Sequence, residues 1–132
     1  MLLPDVLAVL RALEDEGVEY AVFGAVALNL HGIARATEDL DIFVRPDPGN
    51  IERLRRAFAR VYDDPNIADI SSEDLCGDYP AVRYIPPDGD FYVDILTRLG
   101  EAARYADLET ETVDIEGIPI KVVSPAELYR LK

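Results

Sequence analysis

Hydrophobic positions recur at helical spacing in two stretches of the chain. Val6, Leu7, Val9, Leu10 and Leu13 do so between Pro4 and Glu16, and Gly17 supplies a stop, so the spacing predicts an amphipathic helix over 4–16. Ile51, Leu54, Ala57, Phe58 and Val61 do the same and predict a second helix over 50–62. Between them the pattern changes. "VEYAVFG" (18–24) is a short, nearly continuous apolar run, as expected of a strand buried on both faces. "AVALNLHG" (25–32) is rich in helix formers and ends on Gly32. After a loop carrying Arg35 and Thr37, "DLDIFVR" (39–45) reads as a second strand, closed by the breakers of "PDPGN".

The polar stretch 63–79 reads as irregular, with one turn of helix after Ser71. "AVRYIPPDGDFYVDIL" (81–96) predicts two strands joined by a Pro-Asp-Gly turn, and "TVDIEGIPIKVV" (112–123) a hairpin around Glu116 and Gly117. Ser124 as N-cap, Pro125 at the first helical position and Glu127 completing a capping box open a final helix. That helix stops after about two turns, short for a globular protein, so the expectation is either tight packing or a natural extension beyond Lys132. Together these elements predict an α+β fold, a small mixed β-sheet with helices packed on it, as one domain over 1–132.

Alternation within the strands brings out the chemistry. Side chains two apart on a strand share a face, so Asp39 and Asp41 lie together while Leu40 and Ile42 face the other way. In "FYVDIL" the residues Phe91, Val93 and Ile95 share one face and leave Asp94 on the other. Carboxylates crowded in this way repel one another unless a positive charge sits between them, and a buried strand seldom carries a lone carboxylate without a partner. If the two strands are neighbours, three carboxylates converge in a hard-oxygen arrangement suited to Mg²⁺ or Mn²⁺. The strand-to-helix turn at Gly24 offers the complement, because backbone N–H groups at a helix N-terminus attract anions and glycine admits close approach. A phosphate cradle beside a metal site implies a nucleoside triphosphate.

Charge and cysteine content narrow the alternatives. The 132 residues carry a net charge of −13, opposite to the basic footprint of a protein that holds duplex nucleic acid through its phosphates. Cys76 is the only cysteine and His31 the only histidine, which leaves no disulfide and no soft-ligand set for zinc. The N-terminus has neither a basic start nor a long apolar core, and no run approaches a membrane span, so the expected setting is soluble and cytoplasmic. No P-loop or Rossmann glycine motif is present. An Asp-x-Asp pair also serves the haloacid-dehalogenase phosphatases, but there it ends an apolar strand, whereas here "IFV" follows it. His31, at the expected helix end, suits a dipole contact better than catalysis. Cys76 reads as an ordinary loop or core thiol, and core packing is the expected role for most of Tyr79, Tyr84 and Tyr92. Glu38 is compatible with a place beside the metal or with plain solvent exposure.

With Gly24-Ala25, then Asp39-x-Asp41, then Asp94 on a later strand, the chain resembles the minimal nucleotidyltransferases of the DNA polymerase beta superfamily. "VFGAVALNLHGIARATEDLDIFV" is especially similar to the abortive-infection, AbiEii-like branch found in bacterial toxin–antitoxin systems. The resemblance runs through 18–45 and 91–96, and over 118–132 it looks like the lead-in to that branch's C-terminal helix. It implies a nucleotidyltransferase-like fold and Mg²⁺- or Mn²⁺-dependent transfer of a nucleoside monophosphate from an NTP to an acceptor hydroxyl, with pyrophosphate released. By that resemblance Asp39 and Asp41 hold the metal, and Asp94 completes the site and helps activate the nucleophile. The resemblance also implies that Gly24, with Ala25 beside it, faces the triphosphate, and Arg35 and Lys132 are the candidates for further phosphate contacts. The acceptor it implies is a protein, a tRNA or a small molecule, with acidity favouring a protein or small molecule, and a cognate toxin or antitoxin is the implied partner. Ala25 stands where that family has Ser or Gly, a loss of one phosphate hydrogen bond worth about 1–3 kcal/mol. That departure and the short C-terminus favour the alternative, a catalytically inactive nucleotide-binding or antitoxin-like interaction protein.

Overall fold

The structure, a computed structural model, describes residues 4–24, 27, 39–76, 81–87, 92–99 and 103–130. In chain order the described elements are α1 (Pro4–Asp15), β1 (Tyr20–Phe23), β2 (Asp39–Val44), α2 (Pro48–Val61), a 3-10 turn over Pro65–Asp69, α3 (Ser72–Cys76), β3 (Ala81–Tyr84) and β4 (Tyr92–Leu96). They continue with β5 (Arg98–Leu99), β6 (Ala103–Arg104), a second 3-10 turn, β7 (Thr110–Ile115), β8 (Ile118–Val123) and α4 (Pro125–Arg130). The helix expected over 25–32 lies outside the described residues, apart from Ala27, which is helical and buried. His31, Glu38 and Tyr79 lie outside them as well.

Six strands form one mixed sheet in the order β3-β4-β2-β1-β8-β7. β2 runs parallel to β4 and β1 parallel to β8, while the other pairings are antiparallel. The apolar alternation decides which face is covered. Tyr20, Val22, Leu40, Ile42, Val44, Val93, Ile95, Ile118, Ile120 and Val122 are buried in one cluster with Val9, Leu10 and Leu13 of α1 and Ile51, Leu54, Ala57 and Phe58 of α2. Full burial of a Leu or Phe contributes about 1.5–3 kcal/mol, so this layer between sheet and helices carries much of the stability.

The helix ends follow their sequence signals. α1 closes in a Schellman motif, with Gly17 N–H donating to Glu14 O at 3.1 Å and Val18 N–H to Leu13 O at 3.0 Å. α2 begins two residues earlier than the hydrophobic spacing predicts. The Asp47 side chain caps it by accepting from Asn50 N–H, and Pro48 occupies the first turn, where its missing N–H costs nothing. The breakers of "PDPGN" therefore both end β2 and start α2. In the stretch read as irregular, Asp64 caps the 3-10 turn and α3 supplies the expected helical turn. The capping box at α4 is half formed. Glu127 N–H donates to Ser124 Oγ at 3.2 Å, but Ser124 N–H donates to Glu109 O, and the Glu127 carboxylate accepts from Glu109 N–H at 2.9 Å. Glu127 thus ties α4 to the entry of β7, not to its own cap.

Two polar residues in the core hold strand ends in place. Asn50, fully buried, accepts from Glu19 N–H at 2.7 Å and donates to Glu19 O and Arg45 O, both at 3.0 Å. It fastens the start of β1 and the end of β2 to the first turn of α2. Tyr20 donates to Glu14 Oε2 at 2.6 Å and accepts from Lys121 N–H at 3.3 Å. Burial, and after it the hydrogen bond to Glu14, pushes the Tyr20 hydroxyl well above the ordinary tyrosine pKa. Tyr84 is a core residue, its ring tilted against Phe58 with centroids 5.0 Å apart and its hydroxyl donating to Asp64 at 2.9 Å.

Candidate active site

Register places the chemistry. Asp41 of β2 lies opposite Asp94 of β4, Asp94 opposite Arg83 of β3, and Asp41 opposite Phe23 of β1. Residues paired across neighbouring strands share a face, so Arg83, Asp94, Asp41 and Phe23 form a row across four strands, about 4.8 Å per step. The strand neighbours Leu40, Ile42, Val93 and Ile95 point into the core, which leaves this row on the opposite face. A cleft of about 480 Å³ lies over it, lined by Phe23, Asp41, Ala81, Val82, Arg83, Asp94 and Leu96. A larger depression of about 680 Å³, lined in part by Arg55, Arg56, Tyr62 and Asp63, lies away from the row. The site is assigned by its carboxylates, not by size.

Gly24 follows β1 with φ +74°, a left-handed conformation that disfavours any side chain. A Cβ built there would collide with a carboxylate oxygen of Asp41 and lie 3.1 Å from its Cγ and 3.3 Å from its Cβ. The glycine is thus needed for a reason the sequence did not expose. The space beside its Cα, expected to admit a phosphate, is filled on the Cβ side by the carboxylate of Asp41. Below, the Phe23 and Phe43 rings pack with centroids 4.5 Å apart and form an apolar floor beside the two aspartates.

Asp94, with 23% of its side chain exposed, is held by a two-pronged guanidinium: Arg83 Nε to Oδ1 at 2.8 Å and Nη2 to Oδ2 at 3.3 Å. The guanidinium also lies over the Tyr92 ring, 4.1 Å from its centroid. Tyr92 is therefore not the core residue its apolar strand suggested but the platform for a cation beside the site. Arg83 is the residue that sequence reasoning missed. Its signal was present: a hairpin folded about the Pro-Asp-Gly stretch of the sequence would put Arg83 opposite Asp94, and an arginine facing a strand carboxylate forms an ion pair.

Of the residues expected at the site, the structure brings Asp41, Asp94 and Gly24 together. Asp39 is described by its backbone, at the start of β2 opposite Tyr92. Ala25, Arg35 and Lys132 lie outside the described residues. Among the described residues no three His, Cys, Asp or Glu side chains converge on one point. The donor chemistry still suits a hard divalent cation: two carboxylates on adjacent positions of neighbouring strands.

The fold and this row define a class. A crystal structure of a Thermotoga maritima protein, described as a candidate nucleotidyltransferase, superposes with a TM-score of 0.64 over 98% of this chain and 84% of that one, at 21% identity. At that identity the likeness is one of fold. A search of curated proteins gives no match. The family is fixed by a model: residues 6–132 match the nucleotidyl transferase AbiEii toxin family of type IV toxin–antitoxin systems, and the chain belongs to that family. The chain is thus a nucleotidyltransferase, as its motifs led us to expect. No described helix is long and apolar enough to cross a membrane.

Proposed function

We propose that the chain, acting as one domain over 1–132, transfers a nucleoside monophosphate from an NTP to an acceptor hydroxyl and releases pyrophosphate. Asp41 and Asp94, with Asp39, would hold the divalent cation, Mg²⁺ or Mn²⁺. The observation that supports this reading is the lateral pairing of Asp41 with Asp94 beside Gly24, two hard oxygen donors side by side on the wall of a cleft. When bound, the divalent cation supplies charge neutralisation of the triphosphate and of the leaving pyrophosphate.

The protein side of the chemistry is positioning and proton handling. Asp41 is confined between Gly24 and the neighbouring strands, so its carboxylate meets the reaction with little freedom left to lose. Asp94 sits one strand farther out, where a carboxylate oxygen can accept the proton of the incoming hydroxyl. Ala25, Arg35 and Lys132 are the proposed nucleotide contacts, with Gly24 offering backbone N–H toward the phosphates. A net charge of −13 disfavours a polyanionic acceptor, so a protein or small molecule is preferred to tRNA. Membership of a toxin family of type IV toxin–antitoxin systems supports a cognate antitoxin as partner, and the proposed site of action is the cytoplasm.

The test is pyrophosphate release from each labelled NTP with Mg²⁺ or Mn²⁺ and candidate acceptors. Asp41→Asn and Asp39→Asn should lower it by about 10²–10³-fold, the scale of removing one group that stabilises transition-state charge. One observation favours a second reading, a nucleotide-binding interaction protein without turnover: both Asp94 oxygens are already engaged by Arg83. NTP binding with no pyrophosphate release on any acceptor would select that reading.

A further inference from the structure

Arg83 is more than a counter-ion on the rim. Its guanidinium uses both of its forked donors on Asp94, rests on Tyr92, keeps 55% of its side chain exposed and lines the cleft in which the aspartates stand. An arginine so placed has two anionic partners within reach, the carboxylate it now holds and any phosphate that enters the cleft. A divalent cation at Asp94 would draw on the same carboxylate. Guanidinium and metal therefore compete for one carboxylate, and two cations on the same group repel.

Building on the proposed function, we propose that Arg83 is a phosphate-binding residue that exchanges partners: it holds Asp94 in the empty site and moves to the nucleotide's phosphates when the divalent cation takes Asp94. Planar bidentate recognition is shared by carboxylate and phosphate, so the same fork serves both partners. Tyr92 keeps the guanidinium at the cleft wall during the exchange, since the ring face attracts the cation whichever anion it meets. The consequence is a linkage. Arg83 opposes binding of the bare cation and favours binding of the cation together with the triphosphate, so the site fills as a metal–nucleotide pair.

The opposite signs give the test. Titrate the full chain with Mn²⁺ alone, followed by the paramagnetic signal of the free ion, and then with Mn²⁺ and a non-hydrolysable NTP analogue, followed by calorimetry. For Arg83→Gln, Mn²⁺ alone should bind about threefold to tenfold tighter, the range of an exposed to half-buried bidentate pair. The Mn²⁺–nucleotide complex should bind about tenfold or more weaker. Arg83→Lys keeps the charge without the fork and should fall between wild type and Arg83→Gln in both titrations, with an unchanged circular dichroism spectrum. Weaker Mn²⁺ binding in Arg83→Gln would mean that the arginine only orients Asp94, and unchanged affinities that it does nothing here; either result overturns the exchange. Wild-type protein that binds the Mn²⁺–nucleotide complex no better than Asp41→Asn would instead overturn the proposed function, and the exchange with it.

Discussion

Replacing Gly24 by alanine separates two constraints that fall on one atom. The first is the backbone, since a Cβ at φ +74° costs about 1–2 kcal/mol. The second is the carboxylate of Asp41, which occupies the place of that Cβ. Overpacking of this kind costs about 1–3 kcal/mol, and Asp41 is flanked on one side by Phe23 and on the other by the like charge of Asp94. Gly24→Ala should therefore destabilise by about 2–5 kcal/mol, a large share of the roughly 5–15 kcal/mol of a whole domain. Gly17 is the control, because it has φ +68° and nothing within 4 Å of an added Cβ. Gly17→Ala should cost only the first term. Urea denaturation with an unchanged slope gives both values, and their difference reports the contact with Asp41. In the double variant Gly24→Ala/Asp41→Ala the nearest obstacle shrinks to one Cβ at 3.3 Å, so the two changes should couple by about 1 kcal/mol or more. Mn²⁺ binding should weaken in Gly24→Ala and not in Gly17→Ala. Equal urea midpoints for the two single variants, with equal Mn²⁺ affinities, would refute the claim that Gly24 exists to admit the aspartate.

Two further outcomes follow from the scaffold. Asn50→Ala removes three hydrogen bonds and leaves Glu19 N–H without its partner, while Glu19 O and Arg45 O keep the N–H groups of Arg45 and Asp47, so it should cost about 1–3 kcal/mol in thermal or urea unfolding; a loss below about 0.5 kcal/mol would show that water replaces the amide. Glu16 bonds Arg60 at 2.8 Å and lies 3.4 Å from Arg56, and the Arg60 hydrogen bond, with the charges of both arginines, holds its carboxyl below the usual glutamate range. A lowered folded-state pKa stabilises above the unfolded value of about 4.3 and is lost as pH falls through the folded one. Wild type should therefore unfold at higher urea than Glu16→Gln near neutral pH, and the gap should narrow as pH falls below about 4; a gap of constant size over that range would assign the effect to packing.

Legibility in the sequence followed the length of the pattern. Asp41 and Asp94 could be placed on one face because alternation over β2 and β4 allows only one assignment of faces, and Ile42 and Ile95 are indeed buried behind them. Their adjacency was a conditional statement in the sequence, since parallel pairing of β2 with β4 is set by the long connection through α2 and not by any local turn. Arg83 escaped notice because a single basic residue on a four-residue edge strand carries no periodic signal, although the turn register pointed to it. Asn50 was read only as the first residue of a helix, and nothing local distinguishes a solvent-facing asparagine from one that staples two strands. The segment between β4 and β7 holds two-residue strands, too short for any period to develop. Tyr92 defied its apolar neighbours because β4 is covered on one face only.

The sheet order also bears on when the site can assemble. Asp41 and Asp94 are contributed by strands about fifty residues apart in the chain, and β1, which carries the residue just before Gly24, is backed by β8 near the far end. Contacts closed over such distances form late, after the entropy of large loops has been overcome. A polypeptide made only as far as β2 thus carries Asp39 and Asp41 without Asp94 beside them, and the paired carboxylates exist only once β4 has docked on β2.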